Sequence, residues 1–131
     1  MINYKINEPV GLAQVLYLFK HSGIIRPVDD EARINKMNRR WDLLITAWDG
    51  ELLVGYARTF TDFAHAAYLA NLVVLENYKR TGIGRTLIGK TKTKLGDQVS
   101  LALLSSKEGL TYYPKVGFEK EENAYFIRRK Y

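Results

Sequence analysis

The segment from Leu72 to Leu87, LVVLENYKRTGIGRTL, constrains the fold of this chain more than any other. An apolar run with β-branched residues favours a pleated strand, and it stops at a polar, basic turn. Two glycines one residue apart, Gly82 and Gly84, then open a stretch with helical spacing. Strand, turn, Gly-x-Gly and helix bring several main-chain N–H groups to one point at the positive end of a helix dipole, an arrangement that grips anions. One exposed helix-dipole contact is worth only about 0.3–1 kcal/mol, so the N–H groups must act with neighbouring cations. Lys79, Arg80 and Arg85 supply those, which suits a polyvalent anion such as a pyrophosphate. The plainer alternative is a Gly-rich turn with a solvated basic face.

A chain of 131 residues reads as one domain, residues 1–131, long enough to bury a core without metals or disulfides. It has no cysteine, which excludes disulfide scaffolds, Cys-zinc sites and thiol catalysis. Its two histidines, His21 and His65, argue against a histidine-built metal site, so no metal is expected. A net charge of +6 favours anionic partners, either nucleic acid or a phosphorylated small molecule, without choosing between them. No apolar run approaches the roughly 20 residues of a membrane span, and MINYKINEP lacks a signal-peptide pattern. The cytoplasm is the expected location, with no membrane partner.

Alternation over Ile2–Ile6 predicts a short strand. Glu8-Pro9 opens a helix with Leu12, Val15, Leu16 and Phe19 on one face, ending near Ser22-Gly23. Asp29-Asp30 caps a second helix through about Arg40, with Ile34, Met37 and Trp41 inward. Leu43–Trp48 and Glu51–Phe60 form a hairpin around Asp49-Gly50. Thr61–Ala66 is a loop, and Tyr68–Leu75 is a strand apolar enough to be buried on both faces. A helix from Gly82 to about Lys94, a buried strand Val99–Leu104, a short helix Lys107–Tyr113 and a closing strand Ala124–Arg129 complete the chain. The order β-α-α-β-β-β-α-β-α-β predicts an α/β fold, a mixed β-sheet with flanking helices.

Gly84 to Thr91, GRTLIGKT, also matches the G-x-x-x-x-G-K-T pattern of nucleoside-triphosphate loops. The match fails physically. Its middle residues continue helical spacing, its Gly-Lys-Thr falls inside a helix, and the strand Val99–Leu104 runs into Ser105-Ser106 rather than a magnesium-holding aspartate. The dinucleotide pattern G-x-G-x-x-G fails because its third position is Leu87.

A second motif, Tyr112-Tyr113-Pro114-Lys115-Val116-Gly117-Phe118, taken alone reads as core packing. Lys79-Arg80-Thr81-Gly82-Ile83-Gly84 followed by this motif resembles the two signatures of the GNAT superfamily of acyl-CoA-dependent N-acetyltransferases. Those are Gln/Arg-x-x-Gly-x-Gly/Ala at a helix start and Phe-Tyr-Glu-Lys-x-Gly-Phe nearer the end. The resemblance covers nearly the whole chain.

That resemblance implies the GNAT fold, acetyl-CoA as co-substrate, and acetyl transfer to a primary amine of a small molecule or protein by direct attack. Leu72, Val73 and Val74 would pair with the pantetheine arm along a strand that splays from its parallel neighbour. The segment Arg80, Thr81, Gly82, Ile83, Gly84 and Arg85 would hold the pyrophosphate, with Lys79 beside it. An N–H near Val74 would stabilise the oxyanion, a contribution typically worth 10²–10³ in rate. Tyr113 would be the general acid for the departing thiolate.

Three departures stand out. Lys79 replaces Gln or Arg and lacks a planar fork. Ser106 occupies the place of an asparagine that contacts the cofactor. Asn71 occupies the place of an acidic residue, which leaves the base unassigned among Asp62, His65, Glu76 and water. The resemblance places the acceptor between His21–Arg33 and Tyr56, Arg58 and Phe60, where Arg26 and Arg58 suit a carboxylate or phosphate. It is compatible with a homodimer. A non-catalytic acyl-CoA sensor and a basic nucleic-acid-binding module are the competing readings. No recognition motif supports the latter, and no nucleic-acid partner is expected.

Overall fold

The computed structural model describes residues 1–107 and 109–131. Among them, β1 (Ile2–Ile6) is followed by helices α1 (Leu12–Lys20) and α2 (Glu31–Asn38). Three strands come next, β2 (Leu43–Asp49), β3 (Leu52–Thr61) and β4 (Ala66–Val74). A 3₁₀ turn (Glu76–Tyr78) leads into α3 (Ile83–Leu95), β5 (Ser100–Ala102) and α4 (Gly109–Lys115). The strands form one sheet in the order β1-β2-β3-β4-β5, antiparallel except for the parallel β4–β5 pair.

α1 and α2 cover one face of the sheet. α1 buries Val15, Leu16, Leu18 and Phe19, a stripe at helical spacing. α2 starts at Asp30, whose side chain accepts from the Arg33 N–H at 3.1 Å, a cap worth about 1 kcal/mol. α3 covers the other face with Ile83, Leu87, Ile88, Thr91 and Leu95. It packs close because β3 carries Gly55. A Cβ there would lie 2.9 Å from Ala47 Cβ and 3.0 Å from both Ile83 Cγ2 and Leu87 Cδ1.

The β3–β4 register slips by one residue. Arg58 pairs with Asn71 and Thr59 with Leu69, so Ala70 is the extra residue of a bulge. The bulge bends and twists β4. β5 pairs only with Ala66, Ala67 and Tyr68, below the bulge, so from Leu69 to Val74 β4 keeps β3 on one side and has no strand on the other. The splayed strand expected from the resemblance is present, with the bulge as its local cause.

Several expectations are corrected. α1 begins at Leu12 rather than at Glu8-Pro9, because Val10 turns into the core before the helix starts. β4 is not buried on both faces. Leu72 and Val74 are half-buried because no strand covers the splayed side. The strand expected over Val99–Leu104 shrinks to Ser100–Ala102 and is not buried, since β4 leaves it after Tyr68. The short helix runs over Gly109–Lys115 with Pro114 inside it. The expected span Lys107–Tyr113 included Glu108, which lies outside the described residues.

The closing strand Ala124–Arg129 does not form. Tyr125 and Ile127 are each 96% exposed. Strand propensity in Tyr-Phe-Ile supplies no partner, and β5 offers an edge only three residues long. A hollow of about 660 Å³ lined by Leu95, Val99, Leu101, Val116 and Phe118 stays open near that edge.

Candidate active site

The open edge of β4 is the wall of a cleft of about 870 Å³. Leu75 N–H donates to Val54 O at 2.9 Å, so Leu75 faces β3. Main-chain groups alternate along a strand, which turns the amides of Val74 and Leu72 toward the cleft. Ala70 O at the bulge is taken by Arg26 Nη2 at 3.0 Å. Leu72, Val73, Val74, Lys79 and Ser106 line the same cleft.

At the end of this edge stands the N-terminus of α3. Gly82 is its N-cap, at φ 90°, with no side chain capping the first turn. The amides of Ile83, Gly84 and Arg85 are therefore free of intrahelical partners. Arg80, also left-handed at φ 65°, sharpens the turn. Thr81 Oγ1 donates to Tyr78 O at 2.5 Å and braces it. A Cβ on Gly82 would meet nothing within 4 Å, so the approach to these amides is open. A Cβ on Gly84 would lie 3.8 Å from Val74 Cγ2, which joins the helix start to the strand edge.

Arg80 and Arg85 are exposed at this point, but Lys79 turns away. Its ammonium pairs with Glu76 Oε2 at 2.8 Å and donates to Ser22 O at 2.5 Å, tying the loop after α1 to the loop after β4. Ser106 Oγ accepts from Gly109 N–H at 3.3 Å and so helps to start α4 while bordering the cleft.

Tyr113 packs edge-on against Phe118 at 5.5 Å and Tyr112 at 5.3 Å. Burial pushes its hydroxyl above the usual phenol range, Tyr112 adds to this, and Arg26 opposes it. Arg26 lines the cleft, whereas Tyr113 is not among the residues that line it. Gly109 leaves room for the ring, since a Cβ there would lie 2.6 Å from Tyr113 Cε2. Tyr112 was not anticipated. Its hydroxyl covers Gly84, 2.7 Å from where a Cβ would stand, and burial pushes its pKa up while Arg85 pulls it down.

The candidate bases disperse. Asp62 accepts from the amides of His65, Ala64 and Ala66, which hold its carboxyl down at about 2. It is a turn-forming group. His65 lies nine residues from Val74 along an extended strand, about 30 Å away. Glu76 is held below the usual carboxylate range by its hydrogen bond from Lys79. Among the described residues, no aspartate, glutamate or histidine side chain lines the cleft.

The region expected to hold the acceptor does border the cleft, through Ser22–Pro27, Arg33, Arg58 and Phe60. Tyr56 does not. It is fully buried and donates to Asn38 Oδ1 at 2.7 Å. His21 points elsewhere, its ring 4.4 Å from that of Tyr17. Phe126 and Arg129 line the cleft from the tail, positions that the expected closing strand had obscured.

Residues 24–128 match the family model described as the acetyltransferase (GNAT) domain. Over 98 residues the chain is 33% identical to a mycothiol acetyltransferase of Geodermatophilus obscurus, a match over 70% of this chain and 32% of that protein. The chain thus spans about a third of that relative's length. A Staphylococcus aureus structure superposes with a TM-score of 0.85 over 100% of both chains at 17% identity. The aminoglycoside N-acetyltransferase AAC(6′)-Iy, solved in complex with CoA, superposes with a TM-score of 0.69 over 99% of this chain and 95% of its own, at 18% identity. At these identities the two structures speak for the fold.

Proposed function

The chain belongs to the GNAT acetyltransferase family, and from that premise we propose that it moves the acetyl group of acetyl-CoA onto a primary amine of a small molecule or protein by direct attack. The observation that carries this reading is the unpaired edge of β4 running into the uncapped start of α3. One edge offers a ladder of amides to an extended amide-bearing arm, and the other offers a cluster of N–H groups to a diphosphate.

In this reading the diphosphate of acetyl-CoA rests on the amides of Ile83, Gly84 and Arg85, flanked by Arg80 and Arg85. The pantetheine arm pairs with Leu72 and Val74. The Val74 N–H faces the thioester carbonyl and stabilises the oxyanion that forms on attack. The neutral amine nitrogen bonds to the carbonyl carbon, the carbon–sulfur bond breaks, and the thiolate takes a proton from Tyr113. A phenol is protonated at neutral pH and so carries the proton that this role needs. The amine nitrogen sheds its proton to water, since the cleft offers no carboxylate or imidazole among the described residues, and the Tyr113 phenolate takes a proton back from solvent to close the cycle.

Acetyl-CoA binding by thermal shift, followed by thiol release across a panel of amines, tests the reading. A ligand at 100 times its Kd stabilises the native state by about 2.7 kcal/mol, so a clear rise in Tm is expected. A rise in Tm without thiol release from any amine favours the sensor reading. No rise, together with steeply salt-dependent DNA binding, favours the nucleic-acid reading.

A further inference from the structure

The charge of the β4 cleft is one-sided. Arg26, Arg33, Arg58, Lys79, Lys107 and Arg129 line it, and no acidic side chain does among the described residues. Lys79 is neutralised by Glu76. Arg33 reaches the main-chain oxygen of Tyr131 at 3.4 Å.

Arg26 and Arg58 are different, because Arg58 is sunk into the wall and Arg26 is half-buried in it. Arg58 is 6% exposed. Its Nε donates to Asn71 Oδ1 at 2.6 Å, and its Nη1 donates to Met37 O at 3.0 Å and Arg40 O at 2.9 Å. Arg26 donates to Ile25 O at 2.7 Å and to Ala70 O. Every one of these acceptors is neutral. Burial lowers the pKa of both guanidiniums; Tyr68 at Arg26 and Tyr56 at Arg58 pull the other way, while Arg129 opposes the charge on Arg26 and Arg26 opposes that on Arg58. Cations drawn partly or wholly out of water, repelling one another and meeting no carboxylate, are costly to keep.

A separate observation points the same way. Asn71 is 1% exposed and lines the cleft, yet its Nδ2 has no hydrogen-bond partner. The amide cannot be turned round to cure this. Turning it would set an NH₂ group against the Arg58 Nε–H, donor to donor. Buried donors without acceptors are rare in native proteins. Two guanidiniums hydrogen-bonded only to neutral acceptors, and one amide NH₂ with no acceptor, therefore set positive charge on a wall that offers no carboxylate among the described residues.

We infer that the acceptor amine carries an anionic group, a carboxylate or a phosphate, held by Arg26, Arg58 and Asn71 Nδ2. The inference rests on the acetyl-transfer reading above. The coenzyme's diphosphate does not answer this charge, because that reading seats it at the start of α3. Asn71 lies three residues along β4 from Val74, about 10 Å, so one small acceptor spans the anion subsite and the acyl position. Polyamines and other polycations are repelled.

The test uses the full chain, saturating acetyl-CoA and matched acceptor pairs read by thiol release. Amino acids with the amine at increasing distance from the carboxylate are compared with their amides. Aminoalkyl phosphates are compared with the parent amino alcohols, and spermidine represents polycations. The anionic member of at least one pair should exceed its neutral partner in kcat/KM by roughly 10- to 100-fold, and the carboxylate and phosphate arms tell which group is read. Arg26→Gln should erase most of that advantage, raising KM for the anionic acceptor far more than for its neutral partner. Neutral or cationic acceptors matching or beating every anionic partner overturn the inference, as does the absence of turnover with all anionic amines. Acetyl-CoA itself must raise Tm in the same samples. If it does not, the acetyl-transfer reading fails, and this inference falls with it.

Discussion

Gly82 and Tyr113 are the two residues on which the chemistry turns most directly. Gly82 holds φ 90° with open space where a Cβ would stand, and that space is the approach to the first amides of α3. Gly82→Val should cost about 1–2 kcal/mol of stability from the left-handed backbone. It should also lower acetyl-CoA affinity by on the order of 100-fold or more, measured by calorimetric titration, because several N–H contacts are blocked together. Undiminished affinity in a folded variant contradicts the anion-site assignment. Tyr113→Phe keeps the ring that packs on Phe118 and Tyr112 and removes only the proton. Turnover should fall by roughly 10²–10⁴ with acetyl-CoA affinity unchanged. Wild-type turnover would leave Tyr113 as a packing residue.

At the scale of elements, the decisive contact is α3 against the sheet, and Gly55 sets its distance. Gly55→Val would force Ala47, Ile83 and Leu87 apart, all buried. A loss of about 1–3 kcal/mol is expected in urea unfolding, with weaker acetyl-CoA binding because the start of α3 moves off the edge of β4. Much of this level was legible in the sequence. Period-2 and period-3.6 patterns located β2, β3, α1, α2 and α3 to within a few residues, and Gly82 was read as the start of α3. The bulge at Ala70 was not legible. It depends on a register slip between two strands, and no residue type in Leu69-Ala70-Asn71 announces it. Tyr112 over Gly84 was likewise hidden, since a pair of adjacent tyrosines does not reveal which ring reaches another helix. The tail erred in the opposite direction. Ala124–Arg129 has strand propensity, but pairing is a tertiary event that an edge of three residues does not support.

For the whole molecule, pH offers two separate readouts. Burial pushes the Tyr56 hydroxyl up to about 12, from an ordinary phenol value of 10.0. A phenol with a raised native pKa favours the fold while it stays neutral. Its contribution is intact below pH 10 and is lost as pH rises from about 10 through about 12. Stability should therefore fall across that window. Tyr56→Phe should flatten the fall, at a cost of about 1–2 kcal/mol at neutral pH because Asn38 Oδ1 loses its donor. Catalysis should show a different dependence. With no carboxylate or imidazole lining the cleft among the described residues, kcat/KM should rise about tenfold per pH unit until the acceptor's own ammonium titrates. A plateau set by an enzyme group near neutrality would require a base that the cleft does not hold.

The central claim is that one coenzyme bridges the start of α3 and the unpaired edge of β4. A crystal structure of the chain with acetyl-CoA tests it most directly. The diphosphate should lie within hydrogen-bond distance of the Ile83, Gly84 and Arg85 amides, and the thioester oxygen should face the Val74 N–H. A coenzyme bound elsewhere, or the edge of β4 closed by a strand in the bound state, would contradict it.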